Sequence, residues 1–193
     1  MTDTTKYTDT NHLIVIRCKR GEKKAYQELY SLYSKAMFNV SFRILNNSEE
    51  AKDVLQDSFT KAFRKIASFD EKHSFGTWLK RITINSSLDV LKKRKLNFIS
   101  LEDEHYISSE AIDAEIEDDD DETIYDVETI RDCVLKLPDG YRTVLSLYLF
   151  EEYSHREIAE FLNISEGTSK SQYNRAKKKL IDLIKLNTIS NAR

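Results

Sequence analysis

Between residues 96 and 128 the chain carries 14 Asp and Glu and not one Lys or Arg. A segment of one charge sign and low apolar content cannot bury enough surface to offset the entropy lost on ordering. Its centre, residues 100–122 (SLEDEHYISSEAIDAEIEDDDDE), is therefore read as a linker, and packed structure must lie on either side of it. The flanks have the opposite sign. Residues 1–95 hold 19 Lys/Arg against 11 Asp/Glu, and residues 129–193 hold 11 against 8, within a net charge of −3. Two basic segments joined by an acidic one suit two nucleic-acid-facing modules better than an enzyme for acidic substrates. Solvated lysine-rich helices would give the same balance, so charge alone does not choose.

The flanks read as helical. Four Gly and one Pro among 193 residues leave few strand-turn signals. Residues 1–11 are polar and expected to fray. From Ala25 the apolar positions run Ala25, Leu29, Leu32, Ala36, Val40 and Ile44, the rhythm of an amphipathic helix. NNSEEAKD (46–53) breaks it and offers Ser48 as the next N-cap, with carboxylates in the following turn. A second helix is expected to bury Leu55, Phe59, Ala62, Phe63 and Ile66. After the loop SFDEKHS (68–74), a third starts near Phe75 with Phe75, Leu79 and Ile82 on one stripe and ends in KKRK (92–95). Beyond the acidic segment the periodicity resumes at Val127, Ile130, Val134 and Leu137. LPDG (137–140) then separates that helix from YRTVLSLYLFEE, which is apolar enough to be mostly buried. The expected fold is all-α: a helical bundle over 12–97, an acidic linker over 98–124, and a second helical domain over 125–187.

The second domain ends in a recognisable pattern. Ser154 and Glu157 have capping-box spacing at the start of a short helix, 155–162, that turns Ile158, Ala159 and Leu162 inward. Asn163 tolerates the left-handed backbone of a tight turn, and Ser165 can cap the next helix. Helix, short turn and helix is helix-turn-helix geometry. On a wheel of 100° per residue, Ser169, Tyr173, Ala176, Leu180 and Leu183 share one stripe. Gly167, Lys170, Ser171, Asn174 and Lys178 share the other, with Arg175 at its edge. A recognition helix needs both faces, one to lock onto the scaffold and one to reach phosphates and base edges. An ordinary amphipathic C-terminal helix is the bland alternative, which the cap, turn and two-faced helix together disfavour.

In the first domain, Trp78, Arg81, Asn85, Asp89 and Lys92 fall on one face of the third helix. An aromatic, an amide and cations in a row suit unstacked bases and phosphates, while a lone Trp equally suits a core. Asp53, Gln56 and Asp57 lie on the outer part of the second helix. That acidic face is either a protein-docking surface or simply solvated.

Taken together these segments resemble bacterial RNA polymerase sigma factors of the extracytoplasmic-function type, over about residues 21–186. AKDVLQDSFTKAFRKI (51–66) resembles the polymerase-binding helix, and FGTWLKRITINSSLDVLKKRK (75–95) the segment that melts and reads the −10 element. LPDGYRTVLSLYLFEEYSHREIAEFLNISEGTSKSQYNRAKKKL (137–180) resembles the domain whose helix-turn-helix reads the −35 element. A helix-turn-helix alone is common to many regulators; the ordered set of three is specific. The resemblance implies that Asp53, Gln56, Asp57, Phe59 and Lys61 engage core RNA polymerase. It places Phe75, Trp78, Arg81, Asn85, Lys92, Lys93 and Arg94 at the −10 DNA, with loop 69–74 holding a base flipped from the non-template strand. It places Ser165, Thr168, Lys170, Ser171, Asn174, Arg175 and Lys178 at the −35 DNA. It also implies an acidic linker threading polymerase channels, and an anti-sigma factor as a common antagonist.

Several residues depart from the family pattern. Where GTVKSRL is usual, this chain has Gly167, Thr168, Ser169, Lys170, Ser171, Gln172 and Tyr173. Ser169 and Tyr173 both fall on the inward stripe, so one position shrinks as its neighbour at i+4 grows, a compensated repacking. Gln172 removes a frequent cation, and Lys80 replaces a common aromatic.

Other classes find little support. There is no Gly-rich phosphate loop and no nucleophile–base pattern. Cys18 and Cys133 read as free thiols, and His12, His73, His105 and His155 are scattered, so neither a metal nor a cofactor is expected. No signal pattern or membrane-length apolar run is present, which points to a cytoplasmic protein without membrane insertion or a small-molecule substrate. The alternative function is a stand-alone helix-turn-helix regulator that binds an operator without polymerase.

Overall fold

The computed structural model describes residues 11–98 and 127–191. The frayed segment expected at 1–11 and the linker expected at 98–124 fall almost wholly outside the described residues. Eight α-helices occupy the described chain, and no strand occurs among its residues: α1 (His12–Lys19), α2 (Lys23–Leu45), α3 (Ser48–Lys65), α4 (Phe75–Phe98), α5 (Val127–Leu135), α6 (Asp139–Leu149), α7 (His155–Leu162) and α8 (Glu166–Asn191). Residue contacts divide the chain into two units, Met1–Val90 and Leu91–Arg193.

The first unit is built on α2 and α3. α2 buries Ala25, Leu29, Met37, Val40 and Ile44. Leu32 and Ala36, expected on this stripe, are exposed instead. The buried face advances by fours through Tyr33 and Met37, because the Tyr33 ring packs on Phe75 at 5.5 Å and turns Leu32 to solvent. Gly76 permits that approach, since a Cβ there would lie 2.8 Å from the Tyr33 ring. Asn46 closes α2 in the left-handed conformation. The N-cap of α3 is Asn47, not Ser48: its Oδ1 accepts from the Glu49 and Glu50 amides at 3.0 and 3.2 Å. Asn47 has the extended backbone a cap needs, whereas Ser48 is already helical. Leu55, Phe59, Ala62 and Ile66 are buried, and Phe63 is half-buried. A 3₁₀ turn, Ile66–Ser68, leads into the loop before α4. α4 buries Phe75, Leu79 and Ile84, leaves Ile82 half-buried, and runs past KKRK to Phe98. Cys18 is buried, and burial pushes its thiol up to about 11, so it is an unreactive core thiol.

The second unit gathers α5, α6 and α7 around α8. Cys133, Val134, Leu137, Leu145, Ala176 and Leu180 form its core. Val127, expected to start the buried stripe of α5, is 69% exposed. α6 is buried from Arg142 to Leu147, but Tyr148, Leu149 and Phe150 at its end reach solvent. The Arg142 guanidinium, 2% exposed, donates to the Leu137 carbonyl at 2.6 Å and to Asp139. It thereby fastens the α5–α6 turn. Both cysteines are free and buried.

Candidate nucleic-acid and partner interfaces

α7 begins with the full capping box. The Glu157 amide donates to Ser154 Oγ at 3.3 Å, and the Ser154 amide donates to Glu157 Oε2 at 2.9 Å. Asn163 ends the helix at φ 55°, within the left-handed region. Ser165 Oγ then accepts from the Thr168 amide at 2.9 Å and lies 2.8 Å from the Thr168 hydroxyl. Both hydroxyls are therefore engaged in starting α8. Along α8, Ser169, Ala176 and Leu180 are buried, and Tyr173 and Leu183 are half-buried. The opposite side exposes Gly167, Lys170, Asn174, Arg175 and Lys178, with Ser171 half-buried. Lys170 bonds Glu166 Oε1 at 2.7 Å, and this hydrogen bond is the main cause holding the Glu166 carboxyl below its ordinary value.

The departures at 169 and 173 meet at His155. Ser169 Oγ lies 3.0 Å from His155 Nδ1, in the space a larger side chain would fill. The imidazole stacks on Tyr148 at 4.5 Å, and Tyr173 packs 4.6 Å from Tyr148 and 5.5 Å from His155. One residue from each of α6 and α7 and two from α8 thus make a single cluster, and α8 runs through it unbroken. Burial first, and then the Lys170 charge, hold His155 below its ordinary value, so it is neutral at pH 7. Sequence reading missed His155: a pair 14 residues apart leaves no periodic signal.

On α4, Trp78 is half-buried, with its ring 4.9 Å from Phe69 and 5.6 Å from Phe75. It is both core and rim. Arg81, Asn85, Asp89, Lys92 and Lys93 are exposed, and Arg94 is half-buried. Beside Trp78 a cleft of about 230 Å³ separates α3 from α4, lined among others by Lys61, Lys65, Asn85 and Ser86. Lys61 spans it, 2.6 Å from Asp57 and 2.9 Å from Ser86 Oγ. Asp53, Gln56 and Asp57 are exposed on α3. Two residues that the resemblance assigns to partner surfaces are buried, as their apolar stripes predict. Phe59, 3% exposed, and Phe75, 1% exposed, lie in the core, where aromatic packing holds them away from any partner. They support α3 and α4 from beneath.

Among the described residues, no cluster of three or more His, Cys, Asp or Glu has the arrangement of a metal site. No helix among them is long and apolar enough to cross a membrane.

Residues 29–96 match Sigma-70 region 2 and residues 128–180 match Sigma-70 region 4. The chain is 33% identical to an ECF RNA polymerase sigma factor, SigW of Bacillus subtilis, over 84% of this chain and 90% of the relative. It is 31% identical to the RNA polymerase sigma-H factor of Pseudomonas aeruginosa, over 85% and 88% respectively. In fold it is similar to CnrH, solved in complex with the cytosolic domain of CnrY, at a TM-score of 0.55 and 20% identity over 92% of this chain and 99% of that one. A second fold relative is the sigma factor RpoE of Bartonella quintana, solved with the anti-sigma factor NepR, at a TM-score of 0.55 and 22% identity over 84% and 98%. With both regions present in order and the likeness running nearly end to end, the chain belongs to the extracytoplasmic-function RNA polymerase sigma factors.

Proposed function

We propose that this protein binds core RNA polymerase and directs it to promoters through separate −10 and −35 contacts. The observation that carries the reading is the α4 row. A half-buried Trp78 beside exposed Arg81 and Asn85 is a surface for unpaired bases, and it stands in a different unit from the helix-turn-helix. A regulator that only reads duplex DNA has no use for it. In this reading Asp53, Gln56, Asp57 and Lys61 on α3 dock the polymerase. Trp78, Arg81, Asn85, Lys92, Lys93 and Arg94 handle −10 DNA, and loop 69–74 takes a flipped base. On α8, Lys170, Ser171, Asn174, Arg175 and Lys178 meet the −35 groove and its phosphates, while Ser165 and Thr168 cap the helix that carries them. The structured modules run over 12–97 and 125–187, with 98–124 as the acidic linker. The polymerase makes the bonds and this chain supplies recognition, in the cytoplasm and without an activity of its own. An anti-sigma protein is the family's usual antagonist and is proposed as its regulator.

Gel filtration with bacterial core RNA polymerase tests the docking face. The wild type should co-elute, and an Asp53→Ala/Asp57→Ala variant should not. Phe59 is left intact because its truncation would open the core. A folded wild type that never co-elutes with polymerase would sink the proposal.

A further inference from the structure

We propose that Lys19, on a helix outside the matched Sigma-70 region 2, is a positioning residue that sets base selection by loop 69–74. The inference rests on the reading that this loop receives a −10 base.

The loop is held by aromatic packing and by an ammonium on α1. At its start Phe69 is 6% exposed, wedged between Phe75 and Trp78. Its ring is fixed by packing, and its carbonyl accepts from the Lys19 ammonium at 2.7 Å. The same ammonium bonds Glu71 Oε1 at 2.7 Å, and the other carboxylate oxygen lies 3.3 Å from His12 Nε2. Two residues of α1 therefore grip one loop carboxylate, and Lys19 also grips the loop backbone two residues earlier. The Lys19 hydrogen bond is the main cause holding the Glu71 carboxyl below its ordinary value. Within the loop, Asp70 Oδ1 accepts from the Lys72 amide at 3.0 Å, and the Asp70 carbonyl accepts from His73 at 3.1 Å. The turn is closed on itself, with Asp70, Lys72, His73 and Ser74 exposed on its rim. Its shape is local, but its placement depends on α1.

α1 is itself anchored. The Tyr26 hydroxyl donates to the Cys18 carbonyl at 2.8 Å, and Arg17 bonds both Glu22 and Glu28. Gly21, at φ 82°, makes the turn into α2. A displacement of the loop by an ångström changes which base edge its rim can meet, because hydrogen bonds weaken steeply outside their geometry. A flexible loop would accept any unstacked base; a clamped one selects. The region 2 family model begins at residue 29, so Lys19 lies before the stretch that model matches.

The test reconstitutes holoenzyme from core polymerase and full-length chain, and selects from a DNA library randomised across the −10 and −35 elements. Compared with wild type are Lys19→Ala, Lys19→Arg, Glu71→Ala and a loop control, Lys72→Ala/His73→Ala. The expected result is that Lys19→Ala and Glu71→Ala lose roughly fivefold or more of the preference at one −10 position. Lys19→Arg, which keeps a donor, restores it, the −35 profile is unchanged, and thermal unfolding of the half-exposed Glu71→Ala stays at the wild-type midpoint. If the loop control shifts the −10 profile while Lys19→Ala and Glu71→Ala leave it alone, the positioning role is wrong and base capture stands. A shift in Lys19→Ala that Glu71→Ala does not reproduce, or that comes with equal loss at −35, makes Lys19 merely structural and overturns the proposal. If the loop control itself leaves the −10 profile unchanged, the base-capture reading fails and takes the proposal with it.

Discussion

His155 joins α6, α7 and α8 through one imidazole, and its environment makes the joint sensitive to pH. It faces Ser169 and Tyr173 on α8 and Tyr148 on α6, with Lys170 and Glu166 contributing opposing charge effects. Burial is the largest cause of its lowered value, and Lys170 adds to it. An unfolded His titrates near about 6.5. With the folded value lower, the unfolded state takes up the proton first. The contribution to stability is thus complete above about pH 6.5 and is lost as pH falls through the folded value. Thermal unfolding of the second unit, followed from pH 7.5 to pH 5.5, should show this loss, and His155→Asn should flatten it. Equal pH slopes in the two proteins would remove His155 as the titrating group. Nothing in the sequence pointed here, because contacts between turns of different helices leave no local period. The capping box of Ser154 and Glu157 was legible for the opposite reason: both partners lie within one turn, where backbone geometry fixes the spacing. The α3 cap slipped by one residue because Asn47 and Ser48 are both good caps, and only the backbone angles separate them.

At the scale of elements, α8 was the most readable helix and α2 the least. The α8 wheel separated Ser169, Ala176 and Leu180 from Lys170, Asn174 and Lys178, and their exposures divide the same way. On α2 the apolar period ran through Leu32 and Ala36, and the contact of Tyr33 with Phe75 and Gly76 moved the middle of the buried face round to Tyr33 and Met37. The α8 face makes a quantitative prediction. If Lys178 meets a phosphate, Lys178→Ala should lower the slope of log affinity against log salt by about 0.9 in holoenzyme–promoter binding. Lys170→Ala should lower it by less, since Glu166 already neutralises that ammonium in the free protein. Glu166→Gln should then raise affinity at low salt by freeing Lys170. Slopes unchanged in both lysine variants would take this face off the DNA. Asn174→Ala belongs to another class: it should change preference at one or two −35 positions and leave the salt slope alone.

For the whole molecule the deciding quantity is how charge is distributed along the chain. Residues 102–122 carry twelve carboxylates and no Lys or Arg, so replacing them by an uncharged Gly/Ser tether of equal length moves the net charge from −3 to +9. Equal length keeps the reach between the two units comparable, so the change isolates charge from tethering. Both flanking segments are net basic and carry the faces assigned to DNA. A tethered polyanion at millimolar effective concentration competes with DNA for those faces without needing a defined structure. The Gly/Ser variant, free of polymerase, should therefore bind duplex promoter DNA more tightly than wild type at about 50 mM salt. The gap should narrow as added salt shortens the screening length from roughly 14 Å toward about 5 Å. Binding measured by fluorescence anisotropy across a salt series gives both quantities. Equal affinities at low salt would mean that the acidic segment does not mask the basic faces. A gap that persists undiminished at high salt would point to a contact other than charge, because exposed ion pairs are screened there and packed ones are not.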